Sequence, residues 1–135
     1  MMRILIIEDD STWPELLQIY LPDVSLEVAE RLQDAIEKLC REEFDLVIYD
    51  PGLPDNTSGL AGYQKIREFR TDVPIVAFSG ADDGVLAEAL SKEGTSFVRK
   101  DIIVQAPGVL MTILESAIKG FKGMATSSRI LNGQT

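Results

Sequence analysis

The sequence predicts a single α/β domain, a doubly wound five-stranded parallel sheet with helices on both faces. Short apolar runs such as Ile4–Ile7, Leu46–Tyr49 and Ile75–Phe78 alternate with stretches whose apolar residues recur at helical spacing. Runs of this kind read as strands buried on both faces, and strand–helix alternation with short connections is the pattern of a parallel sheet. In addition, four of the five expected strands end on polar residues, and a parallel sheet gathers those ends on one rim.

The first strand, Arg3 to Ile7, runs into Glu8-Asp9-Asp10. Ser11 and Thr12 can cap the next helix, Pro14 fits its first turn, and Trp13, Leu16, Leu17, Tyr20 and Leu21 form its stripe. Trp13 reads as a core or partly buried anchor and, lying just past the acidic cluster, as a reporter of that site. Pro22-Asp23 stops the helix, and alternation at Val24, Leu26 and Val28 marks an edge-type strand. Leu32, Ala35, Ile36, Leu39 and Cys40 form a second helical stripe, with Cys40 expected to pack. Phe44 leads into the central strand, Leu46 to Tyr49, which Asp50 closes. Pro51 to Gly59 is dense in turn formers and reads as a loop.

A weaker helix follows, with Tyr63, Ile66 and Phe69 expected inward. Pro74 to Phe78 is the fourth strand and ends on Ser79-Gly80. Asp82-Asp83 can cap a helix carrying Val85, Leu86, Ala89 and Leu90, with Gly94 as its stop. Ser96 to Arg99 is a short fifth strand ending on Lys100. A loop through Ala106-Pro107-Gly108 precedes the last stripe, Leu110, Ile113, Leu114, Ala117, Ile118 and Phe121. From Gly123 the residues are small and polar and read as a frayed tail.

The 135 residues suffice for one core. A net charge of −9 argues against nonspecific binding to nucleic acid or anionic membrane. A single cysteine forbids an intramolecular disulfide and fits a reducing setting, and the absence of histidine removes Ser/His and Cys/His catalysis and His-ligated zinc. No apolar run approaches a membrane span, so a soluble, cytoplasmic protein is expected.

The rim carries the chemistry. Singly, Glu8-Asp9-Asp10, Asp50, Ser79 and Lys100 each have an ordinary explanation as a cap, a loop hydroxyl or a solvated lysine. Together they converge. Carboxylates from two strands repel by about 4 kcal/mol at ~4 Å and an effective dielectric of ~20. A dication resolves this, and oxygen ligands alone suit Mg2+. Asp50 is then free to attack phosphorus as a carboxylate nucleophile, with Lys100 and the Ser79 hydroxyl on the phosphoryl oxygens.

Glu8-Asp9-Asp10 after the first strand, Asp50 with Leu53-Pro54 after the third, Phe78-Ser79-Gly80 after the fourth and Phe97 to Lys100 at the fifth resemble the receiver domain of two-component response regulators, a flavodoxin-like fold. The resemblance covers residues 3 to 121 and implies a receiver domain over 1–122 with a polar tail over 123–135. It implies that Asp50 accepts phosphate from a sensor histidine kinase or a histidine phosphotransfer protein. Glu8 and Asp9 match the family's acidic metal pair, Asp10 is a lesser neighbour, and the Gly52 backbone carbonyl matches a further metal ligand. Ser79 matches the switch hydroxyl, Phe97 the switch aromatic and Lys100 the family's lysine. Phosphorylation would reshape the face of the fourth helix, fifth strand and last helix for a downstream output protein. Homodimerisation beside the last strand is a family habit. Such a domain is not an enzyme in the usual sense, although it catalyses its own phosphorylation and dephosphorylation.

The sequence departs from the family in three places. Asp101 stands where a proline, often cis, is usual; a trans bond and a reshaped loop are expected, with a carboxylate that can compete for Lys100. Gly62 aligns with the glycine that starts the third helix, leaving roughly four extra residues in Asp55 to Ala61, over the phosphorylation site. Gly52 offers no side chain to shield an acyl phosphate, so self-dephosphorylation is expected to be fast. Two other functions compete: a pseudo-receiver that binds proteins without phosphorylation, and a phosphohydrolase, which lacks a general acid because that position is Gly52.

Overall fold

The computed structural model describes the backbone of residues 1–133 and the side chains of residues 1–121. Its elements are β1 (Arg3–Ile7), α1 (Thr12–Tyr20), β2 (Ser25–Ala29), α2 (Leu32–Arg41), β3 (Leu46–Tyr49), α3 (Gly59–Phe69), β4 (Ile75–Ser79), α4 (Gly84–Lys92), β5 (Ser96–Arg99), α5 (Asp101–Gln105) and α6 (Leu110–Gly133). The strands are parallel in the order β2-β1-β3-β4-β5. This is the doubly wound sheet that the alternating pattern predicts.

β3 is central and wholly buried, as its unbroken apolar run requires. Successive side chains enter opposite cores. Val47 and Tyr49 join Leu5, Ile7 and Ala77 under α2, α3 and α4, with Leu39, Tyr63, Ile66 and Leu90. Leu46 and Ile48 join Ile4, Ile6, Val76 and Phe78 under α1 and α6, with Leu17, Leu110 and Leu114.

Arg67 on α3 ties these two sides together. Its guanidinium lies 5.3 Å from the Tyr63 ring centroid and 5.3 Å from that of Phe121 on α6. The same group donates to the Val73 carbonyl at 2.6 Å and to the Tyr63 hydroxyl at 3.0 Å, which also accepts from Thr95 Oγ1 at 2.8 Å.

Several local expectations need correction. Cys40 is exposed and does not pack, because it lies at the solvent flank of the α2 stripe. Phe69 is 49% and Val85 83% exposed. Asp101 to Gln105 is not a loop but a short helix, with Ile103 fully buried beneath it, followed by a 3-10 turn at Pro107–Val109. Burial of Ile103 supplies the anchor that turns this segment back on the sheet. Helix α3 starts at Gly59, three positions before Gly62, because Ser58 caps it by accepting the Ala61 N–H at 3.0 Å. Most of the expected excess length in that loop therefore belongs to the helix. The segment expected as a polar tail from Gly123 continues α6 in its backbone as far as Gly133; its side chains, and the backbone of the last two residues, lie outside the described ones.

Candidate functional site

Backbone bonds just past the strand ends fix the rim residues. Glu8 N–H donates to the Ala29 carbonyl at 2.9 Å, Asp50 N–H to Ile7 at 3.1 Å, and Lys100 N–H to Ser79 at 2.8 Å. Glu8, Asp50, Ser79 and Lys100 are all buried, at 2%, 9%, 6% and 8% exposure, whereas Asp9 is exposed. Charged groups are rarely buried without partners. Here the partners are each other.

Carboxylate oxygens of Glu8, Asp9 and Asp50 lie within 4.8 Å of one another, a set that could hold a metal ion. The Lys100 ammonium donates to Glu8 Oε1 at 2.8 Å and Oε2 at 3.0 Å, and to Asp50 Oδ2 at 3.3 Å. Burial, and then the neighbouring Asp50 carboxylate, push the Glu8 carboxyl up to about 8, and Lys100 opposes them only in part. A buried carboxylate crowded by a second one is a site that gains from added positive charge. The donor set is oxygen only, which fits the hard Mg2+ ion.

Two further contacts shape the site. The face of Trp13 lies 5.2 Å from the Lys100 ammonium, a cation–π contact that makes Trp13 part of the site's wall. The Gly52 N–H donates to Asp50 Oδ1 at 2.8 Å and so orients the carboxylate. An aromatic three residues after an acidic cluster was the available signal for the first. The second carries no sequence signal.

The other expected residues fall as follows. Asp10 turns away to cap α1, accepting the Thr12 N–H at 3.0 Å, and that bond holds its carboxyl below the usual range. The Ser79 hydroxyl accepts the Ala81 N–H at 3.1 Å. Phe97 is half-buried and packs against the core on the α2–α4 side of the sheet. Asp101 pairs with Arg99 at 2.8 Å, while Lys100 bonds Glu8 and Asp50 instead. The segment from Asp55 onward does not bond to the rim residues either; Asp55 reaches α2 and Asn56 reaches Tyr49 and Pro51.

A family model for the response regulator receiver domain matches residues 4–115. The chain belongs to that family. Among curated relatives, the receiver is 29% identical over 103 residues to the sensory transduction protein LytR of Staphylococcus haemolyticus, covering 73% of this chain and 40% of that protein. It is 33% identical over 105 residues to the response regulator protein PilR of Pseudomonas aeruginosa, covering 74% and 23%. The receiver thus spans less than half the length of either. Among solved structures, the signal receiver domain of a putative LuxO repressor protein from Vibrio parahaemolyticus superposes with a TM-score of 0.78 at 25% identity, over 93% of this chain and 95% of that one. A CheY-like receiver domain protein from Methanospirillum hungatei shares the fold, with a TM-score of 0.77 at 19% identity over 92% and 98%. Among the described residues, no helix is long and apolar enough to cross a membrane.

Proposed function

We propose that this receiver takes a phosphoryl group onto Asp50 from a sensor histidine kinase or a histidine phosphotransfer protein, with Mg2+, and passes the change to an output protein. The observation that carries this reading is the convergence of Glu8, Asp9 and Asp50 within 4.8 Å, with Lys100 bonded to the two buried carboxylates. A protein-binding module without phosphorylation has no need to bury three ionisable groups, Glu8, Asp50 and Lys100, together.

Glu8, Asp9, Asp50 and the Gly52 carbonyl would hold the ion, which when bound offsets carboxylate and phosphoryl charge. Asp50 supplies the attacking oxygen while its carboxylate is held by the Gly52 N–H. The new P–O bond replaces the P–N bond of the donor phosphohistidine, whose electron pair stays on the imidazole and takes up a proton. Lys100 exchanges its carboxylate contacts for a phosphoryl oxygen. The Ser79 hydroxyl donates a hydrogen bond to another phosphoryl oxygen, and Phe97 follows inward. The surface affected is the groove of about 500 Å3 between α4, β5, α5 and α6, lined by Phe97, Arg99, Ile102 and Ile113.

The test is incubation with acetyl phosphate and Mg2+, read by intact mass. Wild type gains one phosphoryl group, and Asp50→Asn gains none. A folded wild type that gains none in saturating Mg2+ returns the protein to the phosphorylation-independent binding class.

A further inference from the structure

The peptide group between Pro51 and Gly52 is bonded at both ends. Its N–H donates to Asp50 Oδ1 at 2.8 Å, and its carbonyl, on Pro51, accepts from Asn56 Nδ2 at 3.2 Å. A peptide is planar and stiff, so fixing the carbonyl end fixes the direction of the N–H. From this juxtaposition we propose that Asn56 is a positioning residue for phosphoryl transfer, acting on Asp50 through the Pro51–Gly52 peptide. The proposal rests on the reading of Asp50 as phosphoacceptor.

Both hydrogens of the Asn56 amide are used. The second goes to the Tyr49 hydroxyl at 2.8 Å. That hydroxyl in turn donates a hydrogen bond to the Gly59 carbonyl at 2.7 Å, and burial pushes it above the usual phenol range, so it stays protonated and remains a donor. Asn56 therefore grips the chain on both sides of Asp50, at Tyr49 before it and at Pro51 after it. The orientation of the amide follows from its partners: turned over, its oxygen would face the Pro51 carbonyl, acceptor against acceptor.

The grip has a cost that packing alone does not explain. Asn56 Oδ1 is buried without a hydrogen-bond partner among the described residues. Such an acceptor is unfavourable and calls for a reason, and the two donated bonds supply one. Room for the amide is made by Gly62, where a Cβ would lie 2.7 Å from both Asn56 amide atoms and in collision with the Tyr49 hydroxyl. The neighbouring residue secures the approach: Asp55 accepts the Leu32 and Gln33 N–H groups at 3.1 and 3.3 Å.

The experiment compares Asn56→Ala with Tyr49→Phe, which removes one Asn56 contact but leaves the Pro51 bond. Two quantities are read: the rate of phosphorylation by acetyl phosphate, and the Gly52 amide proton shift, which reports its bond to Asp50. Asn56→Ala is expected to slow phosphorylation about tenfold, the scale of a small misplacement of a reacting group, and to move the Gly52 amide proton upfield. Tyr49→Phe is expected to stay within about twofold of wild type and to leave that shift in place, even where its melting temperature falls as far. Asn56→Ala reacting at the wild-type rate, or with an unmoved Gly52 proton, overturns the positioning role alone. A wild type that never forms the adduct overturns the phosphoacceptor reading and the positioning role with it.

Discussion

Asp55 caps a helix to which it does not belong: its Oδ1 accepts the N–H of Leu32, the first residue of α2, at 3.1 Å. Its other oxygen takes the Gln33 N–H at 3.3 Å, while Arg31, the local cap position, supplies no capping side-chain bond. The acceptor also sits at the positive end of the α2 dipole. Replacing Asp55 by Ala is expected to cost about 1 kcal/mol, a fall of about 3 °C in melting temperature. Thermal unfolding followed by circular dichroism checks it. An unchanged melt would mean that water serves α2 equally well.

Glu8 makes the stability of the receiver depend on pH when divalent ions are chelated. Its carboxyl is raised from the ordinary 4.5 to about 8, so the fold favours the protonated form. The stability this contributes is complete below about 4.5 and is lost as pH rises through about 8. With a chelator present, the melting temperature should fall between pH 5 and pH 8 (roughly the window set by the two values), and Glu8→Gln should flatten that fall. Millimolar Mg2+ should restore wild type at the upper end. A melt that rises over this range would contradict the assignment.

The Trp13 ring and the Lys100 ammonium, 5.2 Å apart, should be energetically coupled. A double-mutant cycle with Trp13→Leu and Lys100→Met is expected to give about 0.5–1 kcal/mol of coupling in urea unfolding. Because the receiver has one tryptophan, its emission should shift in Lys100→Met and again when acetyl phosphate draws the lysine away. Additive mutants with silent emission would remove Trp13 from the site.

Gly52 leaves the Asp50 carboxylate uncovered on one side. A Cβ there would stand 3.4 Å from Asp50 Oδ1, an ordinary contact, so a side chain fits. Gly52→Asn is expected to lengthen the acyl phosphate lifetime in Mg2+ severalfold by screening the phosphorus from water. The measurement is loss of radiolabel after the donor is removed; a shorter lifetime or none gained speaks against shielding as the control.

The fold was legible because its signal is periodic. The run Leu46–Tyr49 and the stripe at Leu110, Leu114 and Ile118 announce themselves within a few residues. The rim was legible for a related reason: parallel strands bring their ends together, so Glu8, Asp50, Ser79 and Lys100 needed only an order along the chain. What escaped depends on contacts between distant segments. Nothing near Asp55 says that its carboxylate will serve α2, some 23 residues back. Ile103 could not be told from a loop residue until the cavity it fills was known. Asn56 looked like one turn former among several. The turn cluster that ends at Gly59 marked where α3 begins, and only the family alignment, drawn to Gly62, put that start three residues late. Gly62 is required for a different reason, the close approach of Asn56 and Tyr49.

Arg67 remains. A five-stranded sheet is a partition, and the two cores on either side of it share no side chains. By lying against Tyr63 on one side and Phe121 on the other, the guanidinium buckles them together past the sheet's end. This contact between α3 and α6 goes around the partition rather than through it. It sits by Val73, just before β4, at the end of the sheet opposite the carboxylates.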